Sequence, residues 1–110
     1  FAVDQGTTQG IVATIQKHGL RAKGVKCGGY DLPPELVTAV NNGLCDFTID
    51  QQPYLQGFYP VIQLYLNIIS GGLVGAESMN TGIKFVTKAS VGQYLKPNVF
   101  QGSSTSVYTI

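Results

Sequence analysis

Apolar residues along the chain change their spacing in step with its glycines and prolines. "FAVDQ" opens as a short apolar strand ending in polar residues. "GTTQGIVATIQKHGL" then sets Ile11, Val12 and Ile15 on one helical face, with Thr7 or Thr8 expected as the N-cap. Gly19 suits the residue just past that helix, with Leu20 folding back over the last turn. "GVKCGGYD" reads as a second strand. "LPPELVTAVNNG" is a second helix, with Pro33 or Pro34 in its first turn, Glu35 favourable to the dipole and Gly43 at its end. "LCDFTID" is a third strand, in which Phe47 and Ile49 alternate with Asp46, Thr48 and Asp50. Residues 53–70 are a third helix, and Pro60 should kink it or delay its start because it lacks a backbone donor. Strands alternating with helices through short loops predict an α/β fold built on a parallel sheet with right-handed crossovers.

In such sheets ligands bind outside the carboxyl ends of the strands. Those ends are Asp4-Gln5, Tyr30-Asp31 and Gln51-Gln52, each able to form several hydrogen bonds. A simpler role for Asp4 and Asp31 is to cap the helices that follow them. Capping does not account for Gln51, and the chain has only six acidic residues, so polar groups at three equivalent ends mark a candidate ligand site.

Composition narrows the chemistry. The 110 residues are 44% hydrophobic, which suits one modest packed domain, and 12% charged with a net charge of +1. That balance lacks the basic footprint of a nucleic-acid binder. The apolar run "PVIQLYLNII" is interrupted by Gln63 and Asn67 and is too short to span a bilayer. The start at Phe1, inside an apparent strand and without a signal peptide, is expected of a fragment or processed product.

No nucleophile elbow, phosphate loop, zinc-protease helix or paired Cys-x-x-Cys is present, and the glycines of "GVKCGG" and "SGGLVG" lack dinucleotide spacing. The sole histidine, His18, falls at the far end of the first helix, where a donor satisfies the helix dipole. The reading is therefore a binding protein and not an enzyme, with no catalytic residue, metal ligand or cofactor assigned. Two carboxylates and an amide suit a neutral polyhydroxylated ligand: a carboxylate accepts from adjacent hydroxyls, and an amide both donates and accepts.

Three stretches carry a family resemblance: "FAVDQGTTQGIVATIQKHGL", "VKCGGYDLPPELVTAVNNGLCDFTIDQQPYLQGFYPVIQLYL" and "GIKFVTKASV". They closely resemble the C-terminal part of type I periplasmic sugar-binding proteins of ABC importers, similar to ribose-binding protein, over residues 1–92. The tail "GQYLKPNVFQGSSTSVYTI" has no such counterpart. The resemblance implies ligand contacts at Asp4, which ends "FAVD", at Asp31 in "GGYD", and at Gln51 in "TIDQQP".

It also implies a three-layer parallel sheet flanked by helices, divided between two lobes that close on ligand. Residues 1–50 would be a βαβαβ portion of the C-terminal lobe, 51–82 a hinge and a helix docking on the N-terminal lobe, and 83–110 a return strand and tail in the C-terminal lobe. Gln51-Gln52-Pro53 and Thr81-Gly82 would be chain crossings between lobes, so that Gln51 is both hinge and ligand contact. The implied partners are a monosaccharide or polyol, a membrane ABC permease and the remaining N-terminal portion of the protein. The implied location is the periplasm, or the cell exterior on a lipid anchor.

The sugar-effector domain of a LacI-like transcription regulator has the same fold and is the alternative, although it usually carries a Leu-Thr-Thr-Val strand where this chain has "DFTIDQQ". An enzyme of flavodoxin-like architecture fits less well, because the strand ends offer no nucleophile. Residues ahead of Phe1 would separate transport from regulation. Cys27 and Cys45 sit near the starts of neighbouring strands, where disulfide geometry is unfavourable, and free buried thiols are expected. Tyr54, Phe58, Tyr59 and Tyr65 have helical spacing, which favours packing between lobes over stacking on a sugar. The face formed by Leu55, Phe58, Ile62, Tyr65 and Ile69 is expected to find nothing to cover within this chain.

Overall fold

A computed structural model describes residues 1–75 and 78–96. The described residues form two compact units, one of residues 1–51 with 83–96 and one of residues 52–82. The first unit contains helix α1 (Gln5–Lys17), strand β1 (Gly28–Tyr30), helix α2 (Pro34–Asn41), strand β2 (Phe47–Asp50) and strand β3 (Lys84–Thr87). Two 3₁₀ turns, Leu20–Lys23 and Val91–Tyr94, complete it.

Helix α1 starts because Asp4, in extended conformation, accepts from the Thr7 backbone N–H at 2.9 Å. Asp4 is thus the N-cap, and the expected caps Thr7 and Thr8 lie inside the first turns. The two threonines donate to Asp4 instead: Thr7 to its carboxylate and Thr8 to its carbonyl. The helix ends at His18 as C-cap, and Gly19 takes the left-handed conformation expected of it (φ 60°). Helix α2 begins with Pro34 at its first position and Glu35 in its first turn.

Ile15 of α1 joins Leu36, Val37 and Val40 of α2, Val86 of β3 and Val91 in one buried core. Each large apolar side chain buried there contributes about 1.5–3 kcal/mol. Thr48 pairs with Val86 and Gly29 with Thr48, so these three share the sheet face that α1 and α2 cover. The alternate residues Tyr30, Phe47, Ile49 and Phe85 lie on the other face, where Phe47 meets Phe85 with ring centres 5.3 Å apart. Tyr30 belongs to this aromatic face and meets Phe1 edge-on at 5.8 Å.

The strand order is β1-β2-β3. Strands β1 and β2 are parallel, as the alternation predicts, whereas the return strand β3 runs antiparallel to β2 and makes the sheet mixed. A parallel return needs a crossover helix packed on the sheet. The helix between β2 and β3 belongs to the other unit, so that rule does not govern β3. Residues 1–4 form no strand: one backbone bond, Ala2 N–H to the Gly28 carbonyl at 3.0 Å, holds them beside β1 before Asp4 turns the chain into α1.

At the amino ends of the strands, Asp46 accepts from Arg21 at 2.8 and 3.0 Å and from the Cys27 backbone N–H at 2.8 Å. These bonds hold the starts of β1 and β2 side by side. Cys27 and Cys45 are buried and free. Burial, with Cys27 as neighbour, pushes the Cys45 thiol up to about 12.

The second unit contains helix α3 (Pro53–Ile69), which starts at Pro53 with Pro60 inside it. Of the two effects expected of Pro60, a kink or a delayed start, the delay does not occur; as the eighth residue it removes one interior donor and leaves the first turn intact. None of the α3 residues is buried. Tyr54 and Phe58, one turn apart, stack with ring centres 5.8 Å apart. Of the tail expected in residues 83–110, residues 97–110 lie outside the described residues. Among the described residues no helix is long and apolar enough to cross a membrane.

Candidate functional site

The parallel register of β1 and β2 brings their carboxyl ends together. Tyr30 pairs with Ile49, and the Asp31 backbone N–H continues the ladder to the Ile49 carbonyl at 3.0 Å. Asp31 and Gln51, which leave adjacent strands, therefore become neighbours. The Gln51 Nε2 donates to Asp31 Oδ1 at 3.0 Å, and both side chains are half-buried. On the other side, the Thr48 hydroxyl donates to the Asp31 carbonyl at 2.7 Å and fixes its peptide.

Asp31 does not cap α2. The N-cap of that helix is Pro33, without a side-chain bond, and Asp31 sits in the left-handed region with φ 73°. Gln52, the N-cap of α3, has φ 58°, and these are the only non-glycine residues with positive φ among the described residues. Such conformations persist where the surroundings impose them, and they gather at ligand sites and switch segments.

Asp4 comes to the same end of the sheet through Thr8, which is 1% exposed. The Thr8 hydroxyl donates to the Asp4 carbonyl at 2.6 Å and accepts from the Tyr30 backbone N–H at 3.1 Å. One buried hydroxyl thus joins the start of α1 to the end of β1. Gly29 makes the approach possible, since a Cβ there would overlap the Thr8 side chain. The Asp4 carboxyl is held below the usual carboxylate range by the Thr7 backbone N–H and then by the Thr7 hydroxyl. It is an exposed, ionised helix cap.

The structure thus brings Asp31 and Gln51 into contact and ties Asp4 to the same strand through Thr8. Sequence reasoning missed Thr8, Asp50 and Tyr94. Asp50 is a buried carboxylate adjoining Gln51, and the Tyr94 hydroxyl donates to it at 3.0 Å. The acidic end of "TID" was the available signal for Asp50; nothing local marks Tyr94, 44 residues away. Among the described residues no cluster of His, Cys, Asp and Glu has the makings of a metal site. The groove between α1 and α2, about 530 Å³, contains none of the candidate residues and is a seam between helices.

The first unit is thus a three-stranded α/β unit with hydrogen-bonding side chains at the carboxyl ends of its parallel strands. A model of the periplasmic binding protein domain matches residues 1–72, and the chain belongs to that family. It is 44% identical to the xylose/arabinose-binding protein XylF of Sulfolobus acidocaldarius over 110 aligned positions, which cover 96% of this chain and 27% of that protein. Among solved structures, it resembles a carbohydrate-transporter solute-binding protein from Agrobacterium radiobacter in complex with D-arabinose. That match has 28% identity and a TM-score of 0.68, and covers 83% of this chain and 30% of the other. A carbohydrate transporter from Acidothermus cellulolyticus in complex with myo-inositol matches at 28% identity and a TM-score of 0.68, over 84% of this chain and 32% of that one. An ABC-transporter solute-binding protein from Agrobacterium vitis, bound with α-D-tagatopyranose, matches at 26% identity and 0.69, over 84% and 31%. The chain spans about a third or less of the length of these relatives.

Proposed function

We propose that this chain is the C-terminal portion of a solute-binding protein that holds a sugar or polyol by its hydroxyls and delivers it to an ABC importer. The observation that carries the reading is the Asp31–Gln51 pair at the carboxyl ends of two parallel strands. A half-exposed carboxylate accepts from vicinal hydroxyls, and the neighbouring amide fixes its orientation. Asp4 adds a second carboxylate from the start of α1. The ligands named for the related structures, D-arabinose, myo-inositol and a tagatopyranose, are neutral rings bearing several hydroxyls, which is the chemistry these groups suit.

In this reading the C-terminal lobe is residues 1–50 with the return strand from residue 83, and residues 51–82 supply the hinge and a helix of the N-terminal lobe. The boundaries of the compact units, after Gln51 and after Gly82, support that division. So do the left-handed conformations of Gln52 and of Gly82 (φ 80°), because hinges concentrate backbone rotation in a few residues between rigid elements. The partner is a membrane permease, and the location is outside the cytoplasmic membrane. No observation favours the LacI-like alternative over transport.

A thermal-shift screen of the protein against pentoses, hexoses and polyols tests the reading. Ligand at 100 times its Kd adds about 2.7 kcal/mol of stability, so at least one sugar or polyol should raise the melting temperature clearly. A flat response across the panel would contradict it.

A further inference from the structure

Asp50 has a carboxyl group that the candidate site does not use. It is the last residue of β2, directly before Gln51, and 7% exposed. A carboxylate so placed depends on hydrogen-bond donors from the protein. Tyr94, at the end of the 3₁₀ turn Val91–Tyr94, donates its hydroxyl to Asp50 Oδ2 at 3.0 Å. Lys84 opens β3 directly across from Asp50, and its Nζ lies 5.3 Å from the centre of the Tyr94 ring. At the other end of the turn, Val91 is 1% exposed and part of the core that α2 and β3 form. One tyrosine therefore ties the end of β2 and the start of β3 to the core. These strand ends adjoin the two places where the chain passes between compact units.

We propose that Tyr94 is a positioning residue for ligand binding. Its hydroxyl, held on Asp50, fixes the peptide that carries Gln51, so that the Gln51 amide meets Asp31. The inference rests on Asp31 and Gln51 being ligand contacts. A hinge rotates usefully only when the residues on either side of it are anchored. Tyr94 anchors both strands at once, and Lys84, lying over its ring, adds a cation–π contact between them.

Tyr94→Phe tests this, because it removes one oxygen and keeps the ring beneath Lys84. Affinity for a sugar found by the thermal screen is measured by calorimetry in wild type, Tyr94→Phe, Gln51→Ala and the double variant. Melting temperatures are taken without ligand. Loss of one hydrogen bond, transmitted in part, should weaken binding about five- to tenfold. The same change should have little further effect in the Gln51→Ala background, because interacting residues are non-additive. A role confined to stability would lower the ligand-free melting temperature and leave affinity unchanged, and that result would overturn the inference. An equal loss of affinity with and without Gln51 would also overturn it. A wild type that binds no sugar or polyol takes down both this inference and the functional reading.

Discussion

Asp46 shows what a single side chain does for the sheet. Hydrogen bonds from Arg21, supported by the Cys27 backbone N–H and the charges of Arg21 and Lys26, lower its carboxyl from 3.8 to about 2. The folded value is below the unfolded one, so this contribution is fully present above about pH 4 and is lost as pH falls toward 2. Asp46→Asn should cost about 1–2 kcal/mol at neutral pH, discounted for its partial exposure, and should flatten the acid limb of stability. Urea melts between pH 2 and pH 7 measure both effects; an unchanged acid limb would contradict the assignment. Asp4, in a segment that forms no strand, was picked out by the apolar run before it, and Asp31 and Gln51 were legible as candidates because strand ends are places that chain order reveals. Thr8 and Tyr94 were not, since their partners Tyr30 and Asp50 lie 22 and 44 residues away. Asp4 was read as one of two things, a cap or a contact, and its capping is what the hydrogen bonds display.

Among the elements, α1 and α2 followed from apolar spacing and from their proline and glycine stops, because those signals are local. Residues 1–4 did not, since a strand exists by pairing and only Ala2 has a backbone partner beside β1. The direction of β3 was hidden for a related reason: it depends on where α3 packs, which the sequence between β2 and β3 does not state. The parallel pair β1–β2 brings Cys27 and Cys45 together without joining them. The Cys45 Sγ lies 3.2 Å from the Phe47 carbonyl and 3.5 Å from that of Cys27, and the raised pKa leaves little thiolate at neutral pH. Thiol titration should find slow reaction in the folded protein and two equivalents after denaturation without reductant. Finding none would mean that a disulfide joins the strands.

At the scale of the whole molecule, α3 buries none of its residues, as its apolar face had led us to expect. Phe58 is 45% exposed, Ile62 40% and Tyr65 60%, so one face of the helix presents a continuous apolar strip to solvent. The 110-residue chain alone should therefore bind a hydrophobic dye and self-associate in light scattering, and replacing these three residues by serine should reduce both. A chain that stays monomeric and dye-silent would contradict that expectation. The proposed function depends on the carboxylates of Asp31 and Asp4 holding sugar hydroxyls. Calorimetry of Asp31→Ala, beside wild type and with a sugar that the wild type binds, measures this directly. Loss of a charged hydrogen bond to buried hydroxyls should cost about 2–4 kcal/mol of affinity, with Asp4→Ala similar and Gln51→Ala smaller. Both aspartate variants binding as tightly as wild type would contradict the proposed site.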